Sequence, residues 1–355
     1  MEKLMKLRAT FDELGIDGIL ITDAYNRRYL TDFTGSAGTV IVTKTDAYLL
    51  VDFRYVSQAN AQVTNFTVKE LDRTIIYEEI STIAENLGIK KLGFEQKHQS
   101  YFYYSQLVKA VKADLIPVSN VVETLRMFKN EAEIAILKKA AKISDAAFAH
   151  ILTFIQPGRT EIEISNELEF HMRKLGATSS SFDIIVASGV RSALPHGVAS
   201  DKVVEKGDMI TLDFGAYYQG YCSDMTRTIA VGEPNPKLKE IYTIVHDALE
   251  NALSGIKAGM TGKEADALTR NLISEKGYGD NYGHGMGHGI GLFIHEDIFM
   301  HPTCEHQRIE EGMVLTIEPG IYIPDLGGVR IEDDIILRKD GIEIITKSPK
   351  ELIIL

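Results

Sequence analysis

The feature that most constrains this chain is an internal repeat. Ile155-Gln-Pro-Gly158-Arg-Thr160-Glu-Ile-Glu163 is similar to Ile256-Lys-Ala-Gly259-Met-Thr261-Gly-Lys-Glu264. The offset is 101 residues, from Thr160 to Thr261, and Gly176 matches Gly277 at the same offset. In each copy a helical pattern stops at a glycine, and a Thr-x-x-Glu capping box opens a second helix. The threonine hydroxyl accepts from a free backbone N–H, and the glutamate reaches back. One such match is weak. Two in register, each between helices, predict a duplicated unit with approximate two-fold symmetry. Strand-rich segments follow the helix pairs, at Phe182 to Ala187 and Val314 to Ile345. The expected architecture is α+β, a curved antiparallel sheet backed by two pseudo-symmetric helix pairs.

The repeat occupies only part of a 355-residue chain, which is longer than one ordinary domain. Residues 1–125 read differently, as alternating short strands and helices. Gly18 to Thr22, Thr39 to Thr43 and Tyr48 to Val51 are apolar runs, and helical periods fit Thr74 to Leu87 and Tyr101 to Lys112. This stretch is expected to be an α/β domain. Its Gly35-Ser36-Ala37-Gly38 turn reads as a tight connection, because no lysine or helix start follows to make a phosphate loop. The pattern changes near Val121 to Asn130. A long amphipathic helix is then expected from about Glu131 to Ile155, ended by Pro157-Gly158. Residues 126–355 form the second predicted domain.

The net charge of -12 argues against nucleic acid and anionic membrane surfaces as partners, since both need a basic patch. The two cysteines, Cys222 and Cys304, cannot build a disulfide framework. The N-terminus lacks an uninterrupted apolar core, and no run approaches the ~18 apolar residues of a membrane span. A cytoplasmic, soluble protein is the expectation.

Acidic residues in the second domain fall in a pattern. Thr211-Leu-Asp213-Phe-Gly215 and Cys222-Ser-Asp224-Met-Thr226 flank Tyr217-Tyr-Gln-Gly220, which reads as a β-hairpin. A turn centred between Tyr218 and Gln219 would place Asp213 directly opposite Asp224, ~5 Å apart. Two carboxylates that close repel unless cations lie between them. A second hairpin, Val314 to Glu318 with Val329 to Leu337 and a turn at Pro324 to Gly328, can bring Glu318 and Glu332 together. His288 lies in Gly283-His-Gly-Met-Gly-His-Gly-Ile-Gly291, where glycines let the backbone approach other groups closely. Four carboxylates neutralise two divalent ions. One imidazole among oxygen ligands favours Mn²⁺, Fe²⁺, Co²⁺ or Zn²⁺ over Ca²⁺ or Mg²⁺, and Mn²⁺ best suits a mostly oxygen set. Paired metals can bridge a water and lower its pKa. Taken singly, each residue has a plainer reading, as a solvated aspartate, an exposed glutamate or a core histidine. His301, Cys304 and His306 fit no standard zinc spacing and read as a solvated loop.

These pieces resemble the aminopeptidase P and prolidase family of pita-bread metallopeptidases. The matching segments are Leu194-Pro-His196-Gly, Thr211-Leu-Asp213-Phe-Gly, Ser223-Asp224-Met-Thr-Arg-Thr, Gly287-His288-Gly-Ile-Gly, Glu318-Pro-Gly-Ile-Tyr322 and Val329-Arg330-Ile-Glu332-Asp-Asp. Phe33-Thr-Gly-Ser-Ala-Gly and Val51-Asp-Phe-Arg-Tyr55 resemble the family's N-terminal, creatinase-like domain. The resemblance implies Asp213, Asp224, His288, Glu318 and Glu332 as ligands of two metals. It implies His196 at the substrate mouth, and His284 and His295 hydrogen-bonded to the scissile group or oxyanion. Glu318 would also shuttle a proton. Arg330 would orient a carboxylate or reach substrate, and Tyr322 would donate a hydrogen bond nearby.

The implied reaction is hydrolysis of the Xaa–Pro bond at the N-terminus of peptides by a metal-bridging water, in a homodimer. A strict Xaa-Pro dipeptidase is the alternative, and an inactive binding protein of the same fold is a third reading. Family members often carry His-Glu-x-Pro where this chain has His295-Glu296-Asp297-Ile298, and a nearby arginine of some prolidases is missing. That departure favours aminopeptidase over dipeptidase action.

Overall fold

The computed structural model describes residues 1–355 and divides into two compact units, Met1–Arg126 and Met127–Leu355. The first is α/β. Its six-stranded sheet runs in the spatial order Thr67–Glu70, Ala47–Val51, Thr39–Thr43, Gly18–Ile21, Lys91–Glu95, Asp114–Val118. Thr39–Thr43 is antiparallel to both of its neighbours, and the remaining pairs are parallel. Leu20, Ile41 and Leu50 bury against Ile80, Ile83 and Leu107 of two helices, Ile76–Asn86 and Tyr101–Ala110. The Gly35–Gly38 turn is a tight connection. The buried Arg27 guanidinium donates to the carbonyls of Gly35 and Gly38.

The second unit has the pita-bread architecture. The long helix is Glu131–Ile151, shorter at its C-terminus than the periodicity suggests. It pairs with Glu161–Lys174, and Pro236–Gly255 pairs with Gly262–Glu275. Thr160 and Thr261 each make a complete capping box with Glu163 and Glu264. The glycines before them match in backbone angle, Gly158 at φ 95° and Gly259 at φ 94°. Such angles suit glycine because residues with a side chain rarely adopt them. The repeat is therefore a repeat of conformation as well as of letters.

Strand alternation separates the two faces of the sheet. In Met209–Phe214, the side chains of Ile210, Leu212 and Phe214 pack on the first helix pair with Phe148, Ile151, Leu168 and Met172. Thr211 and Asp213 must point the other way. In Val314–Ile317 and Asp333–Arg338, Leu315, Ile317, Ile335 and Leu337 pack on the second helix pair. Thr316 and Asp334 take the opposite parity, which the flanking Glu318 and Glu332 share. The two halves join where Glu332 N–H donates to the Thr226 carbonyl (3.0 Å) and Thr228 Oγ donates to the Arg330 carbonyl (2.8 Å). Buried Arg227 reinforces the seam through Asp333 (2.7 Å) and the carbonyls of Ser348 and Pro349.

The first hairpin differs from expectation by one residue in its turn. Tyr218 pairs with Tyr221 and Tyr217 with Cys222, so the turn is Gln219-Gly220, both at positive φ. This is the type I′ pattern that matches strand twist. Asp213 consequently faces Thr226, and Asp224 lies two residues further along the same strand face. The carboxylates are diagonal neighbours and not directly opposite ones. In the second hairpin Ile317 pairs with Asp333 and Gly320 with Arg330. Glu318 and Glu332 fall in the gap between those two ladders, in the same register.

Candidate metal centre

The ligand atoms of Asp213, Asp224 and Glu332 lie within 4.8 Å of one another, and all three residues are buried. His288 Nε2 is 3.7 Å from Asp224 Oδ2 and 3.5 Å from Glu318 Oε1. The structure thus brings together all five residues named as ligands from the sequence. Closely spaced backbones make this possible. A Cβ at Gly287 would lie 2.2 Å from the Thr316 carbonyl oxygen, so only glycine lets the Gly287–Gly289 strand sit beside Val314–Ile317.

Each carboxylate is only partly satisfied by protein. Asp213 Oδ2 accepts from Arg330 (2.5 Å), Glu332 Oε2 from Thr226 Oγ (2.6 Å) and Glu318 Oε1 from Thr316 Oγ (3.4 Å). Asp213 Oδ1, Asp224 Oδ1 and Glu332 Oε1 are buried with no hydrogen-bond partner. Buried carboxylate oxygens without partners cost free energy unless a cation or proton serves them. The protonation directions agree. Asp224 is pushed well above the usual carboxylate range by burial and then by the charge of Glu332. Glu332 is pushed well above it by burial and then by Glu318. Glu318 is pushed up to about 8, by burial first, with Arg330 opposing and Asp213 adding. Burial pushes the His288 imidazole down to about 3, which keeps it neutral and able to bind a metal. Orphaned oxygens, crowded acids and a neutral imidazole fit divalent cations.

The centre floors a cleft of about 1180 Å³. His196, His284, His295, Tyr322 and Arg330 all line it. His196 is exposed at its edge, on the Leu194–Gly197 turn. His295 packs edge-on against His288, with ring centroids 4.4 Å apart. Burial, then the neighbouring His196, lowers its pKa. Arg330 Nη1 donates to the Tyr322 hydroxyl (2.8 Å), and that hydroxyl is 2.9 Å from His284 Nε2. His284 Nδ1 is 2.8 Å from the Gly285 carbonyl, which only accepts. The proton pattern follows: Nδ1 is protonated and Nε2 accepts from Tyr322. Burial, then Arg330, lowers His284 to about 4, consistent with a neutral ring. A chain of hydrogen bonds therefore runs from His284 through Tyr322 and Arg330 to Asp213. The sequence does not foretell it.

Other residues escaped sequence reasoning. Thr226 serves Glu332 and also accepts from Arg330 Nε (3.1 Å). Thr316 serves Glu318 and accepts from His288 N–H (3.1 Å). Asp334 Oδ2 accepts from Asp224 N–H (2.9 Å). The signal that would have found them is parity, since each lies two residues from a ligand on the same strand face. The loop read as solvated has His306 exposed and His301 and Cys304 half-buried, and it also borders the cleft. His301, Thr303 and Cys304 line the cleft, and the Cys304 carbonyl accepts from Lys263 N–H at the start of a helix. Backbone donors at that helix end draw the loop inward.

Comparison with known proteins agrees with this geometry. Residues 135–339 match metallopeptidase family M24, and residues 3–128 match the creatinase/prolidase N-terminal domain. The chain is 56% identical over 354 residues to the uncharacterized peptidase YqhT of Bacillus subtilis (strain 168), covering 99% of this chain and 100% of that one. An Xaa-Pro dipeptidase from Bacillus anthracis superposes with a TM-score of 0.98 at 60% identity, covering 100% and 99% of the two chains. An X-Pro aminopeptidase from Thermotoga maritima MSB8 superposes with a TM-score of 0.90 at 40% identity, covering 98% and 100%. No helix is long and apolar enough to cross a membrane. By its matched regions, its pita-bread unit and its acidic centre, the chain belongs to metallopeptidase family M24, with a creatinase/prolidase N-terminal domain ahead of the catalytic unit.

Proposed function

We propose that the protein is a dinuclear metal peptidase that hydrolyses the Xaa–Pro bond at the N-terminus of peptides. The observation that carries this reading is the cluster of half-satisfied buried carboxylates around His288 at the floor of the cleft. Two divalent ions, Mn²⁺ first and Co²⁺, Zn²⁺ or Fe²⁺ as alternatives, would be held by Asp213, Asp224, His288, Glu318 and Glu332. Such a pair supplies an acidified water and Lewis-acid polarisation of a carbonyl.

The chain's own residues do the rest. Glu318 has the most exposed of the paired acidic side chains, at 19% against 12% for Asp213 and 7% for Asp224. It is placed to take a proton from attacking water and return it to the leaving nitrogen. That return is essential here, because the proline nitrogen must leave as a secondary amine. Arg330 holds Asp213 in place and, through Tyr322, fixes the face of His284. With both His284 nitrogens engaged, His295 is the better placed imidazole for the scissile group, and Tyr322 and His284 shape the wall beside it. His196 closes the mouth. An Xaa–Pro bond has no N–H for backbone recognition, so a shaped cleft must hold the ring.

The charge of the lining favours one substrate length over the other. Arg330 is the only lysine or arginine lining the cleft, and its guanidinium is committed to Asp213, Tyr322 and Thr226. A dipeptide brings a carboxylate directly after proline and meets no free cation on this lining. Tripeptides and longer chains are the favoured substrates. The second reading, a dipeptidase, is favoured by the description of the Bacillus anthracis protein. A cytoplasmic homodimer is the proposed setting, and sedimentation as a monomer at micromolar concentration would count against the dimer.

The deciding experiment assays metal-stripped protein, with Mn²⁺ restored, on Ala-Pro-Ala, Ala-Pro and Ala-Ala-Ala. Cleavage of the first before proline is the expected result. Cleavage of Ala-Pro alone would establish the dipeptidase. No turnover of any of them with two metals bound would overturn the proline assignment.

A further inference from the structure

Glu161 stands at the first helical position after the Thr160 cap. The capping box is completed by Glu163, so Glu161 has no part in it. A glutamate in a first turn is ordinarily solvated and helped by the helix dipole. Glu161 instead is 0% exposed. Its Oε1 accepts from Ser188 N–H (2.7 Å) and Ser188 Oγ (2.9 Å). Its Oε2 accepts from Ser200 N–H (3.0 Å) and Ser200 Oγ (2.6 Å). Arg191 Nε reaches both oxygens, at 3.3 and 3.0 Å.

All six contacts come from one segment, four of them from its two ends. Ser188 and Ser200 bracket a loop that presents Ala193, Pro195, His196 and Val198 to the cleft. Arg191 adds a second tie across it by donating to the Val198 carbonyl (2.7 Å). Ile162 N–H adds a third, to the Ser200 carbonyl (3.0 Å). The loop also seats against the strand that ends in Arg330, since Gly328 N–H donates to Ser192 Oγ (2.8 Å). We infer that Glu161 is a positioning residue: its buried carboxylate clasps both ends of the 188–200 loop and so fixes His196 over the cleft for the substrate. This rests on the reading of the cleft as the peptide site.

Charge and valence make the clasp specific. A carboxylate offers acceptors on both oxygens, and every partner here is a donor. Glutamine would keep the shape and turn one side of the clasp into a donor facing donors. Aspartate would be too short to span the two serines.

The test compares wild type, Glu161→Gln, the milder Ser200→Ala and His196→Ala, all loaded with Mn²⁺. Readouts are kcat and KM on Ala-Pro-Ala, metal bound per chain, and tryptic cleavage after Arg191. Loosening the loop should raise KM about tenfold in Glu161→Gln while kcat changes less than about threefold, since misplacement of a positioning group costs binding geometry. Metal content should be unchanged, and Arg191 should become cleavable. Adding His196→Ala to Glu161→Gln should then raise KM little further, because both act through one group. Unchanged KM and protease resistance in folded Glu161→Gln would overturn the inference and leave a merely structural carboxylate. If Glu161→Gln does not fold, Ser200→Ala decides by the same two readouts. An unaffected KM in His196→Ala would overturn it too. Absence of any Xaa–Pro turnover in wild type would sink the functional reading, while the tryptic arm alone would still decide whether Glu161 holds the loop.

Discussion

Asp213 and Glu332 are half-anchored: one oxygen of each is tied to a protein donor and the other is left without one. Glu332 shows it most plainly, with Oε2 on Thr226 and Oε1 orphaned. Anchoring of this kind orients a ligand before the metal arrives. Thr226→Val keeps the volume and removes the hydroxyl that serves both Glu332 and Arg330. It should weaken Mn²⁺ binding about 10–100-fold, with turnover recovering at excess metal. A manganese titration of activity measures this, and an unchanged midpoint would strip Thr226 of the role. Glu318→Gln and Asp213→Asn are different in kind. Glutamine cannot relay a proton, and asparagine has one acceptor oxygen where Asp213 has two, so its NH2 must face either Arg330 or the acidic cluster. Turnover should fall by at least about 10²-fold with far-ultraviolet circular dichroism unchanged; normal activity in either variant removes that residue from the mechanism. The five clustered residues could be picked out in the sequence because glycines, hairpins and acids coincide. Thr226, Thr316 and Asp334 could not, because a threonine or aspartate on a strand carries no signature until its face and neighbours are known.

Among the elements, hairpin register was the weakest part of the sequence reading. Gln219-Gly220 is a less insistent turn than Asn-Gly, and moving its centre by one residue turns direct opposition of Asp213 and Asp224 into a diagonal. The shared face survived because both strands keep their parity. The helix pairs were more legible, since capping boxes and glycine stops are local chemistry that reads the same in a chain and in a fold. Buried ion pairs between distant segments were not legible. Lys129 Nζ meets Glu296 Oε2 at 2.8 Å, with side chains 2% and 3% exposed. Glu296 Oε1 in turn accepts from Leu292 N–H (3.1 Å), bracing the turn that carries His295. Lys129→Met should leave an uncompensated buried carboxylate and cost about 3–5 kcal/mol in urea unfolding. Adding Glu296→Gln should recover much of that loss, because the stranded charge goes with it. A single variant as stable as wild type would mean that the pair is already neutral.

At the scale of the whole molecule, folding and metal binding are linked through the same carboxylates. The sheet brings Asp224, Glu318 and Glu332 into one buried space, and without cations it does so against their charge. The folded-state values of these acids are raised, Glu318 to about 8, whereas unfolded carboxylates titrate near ~4. Between those limits these acids hold more protons in the folded chain than in the unfolded one, so their contribution to stability falls as pH rises. The buried histidines pull the other way at lower pH. His284 and His288 are lowered to about 4 and about 3, so they add stability as pH rises to the unfolded histidine value of ~6.5 and nothing beyond it. The clean window is therefore about pH 6.5 to 8, where the acids act alone. Metal-stripped protein should lose Tm across it. Divalent ions displace the extra protons, so the rise in Tm on adding Mn²⁺ should be larger at pH 8 than at pH 6.5. Differential scanning fluorimetry with and without Mn²⁺ reads both slopes. A metal-free Tm that stays level or climbs across the window would mean that the cluster ionises without penalty. Cations would then not be what this crowding of acids was built to receive.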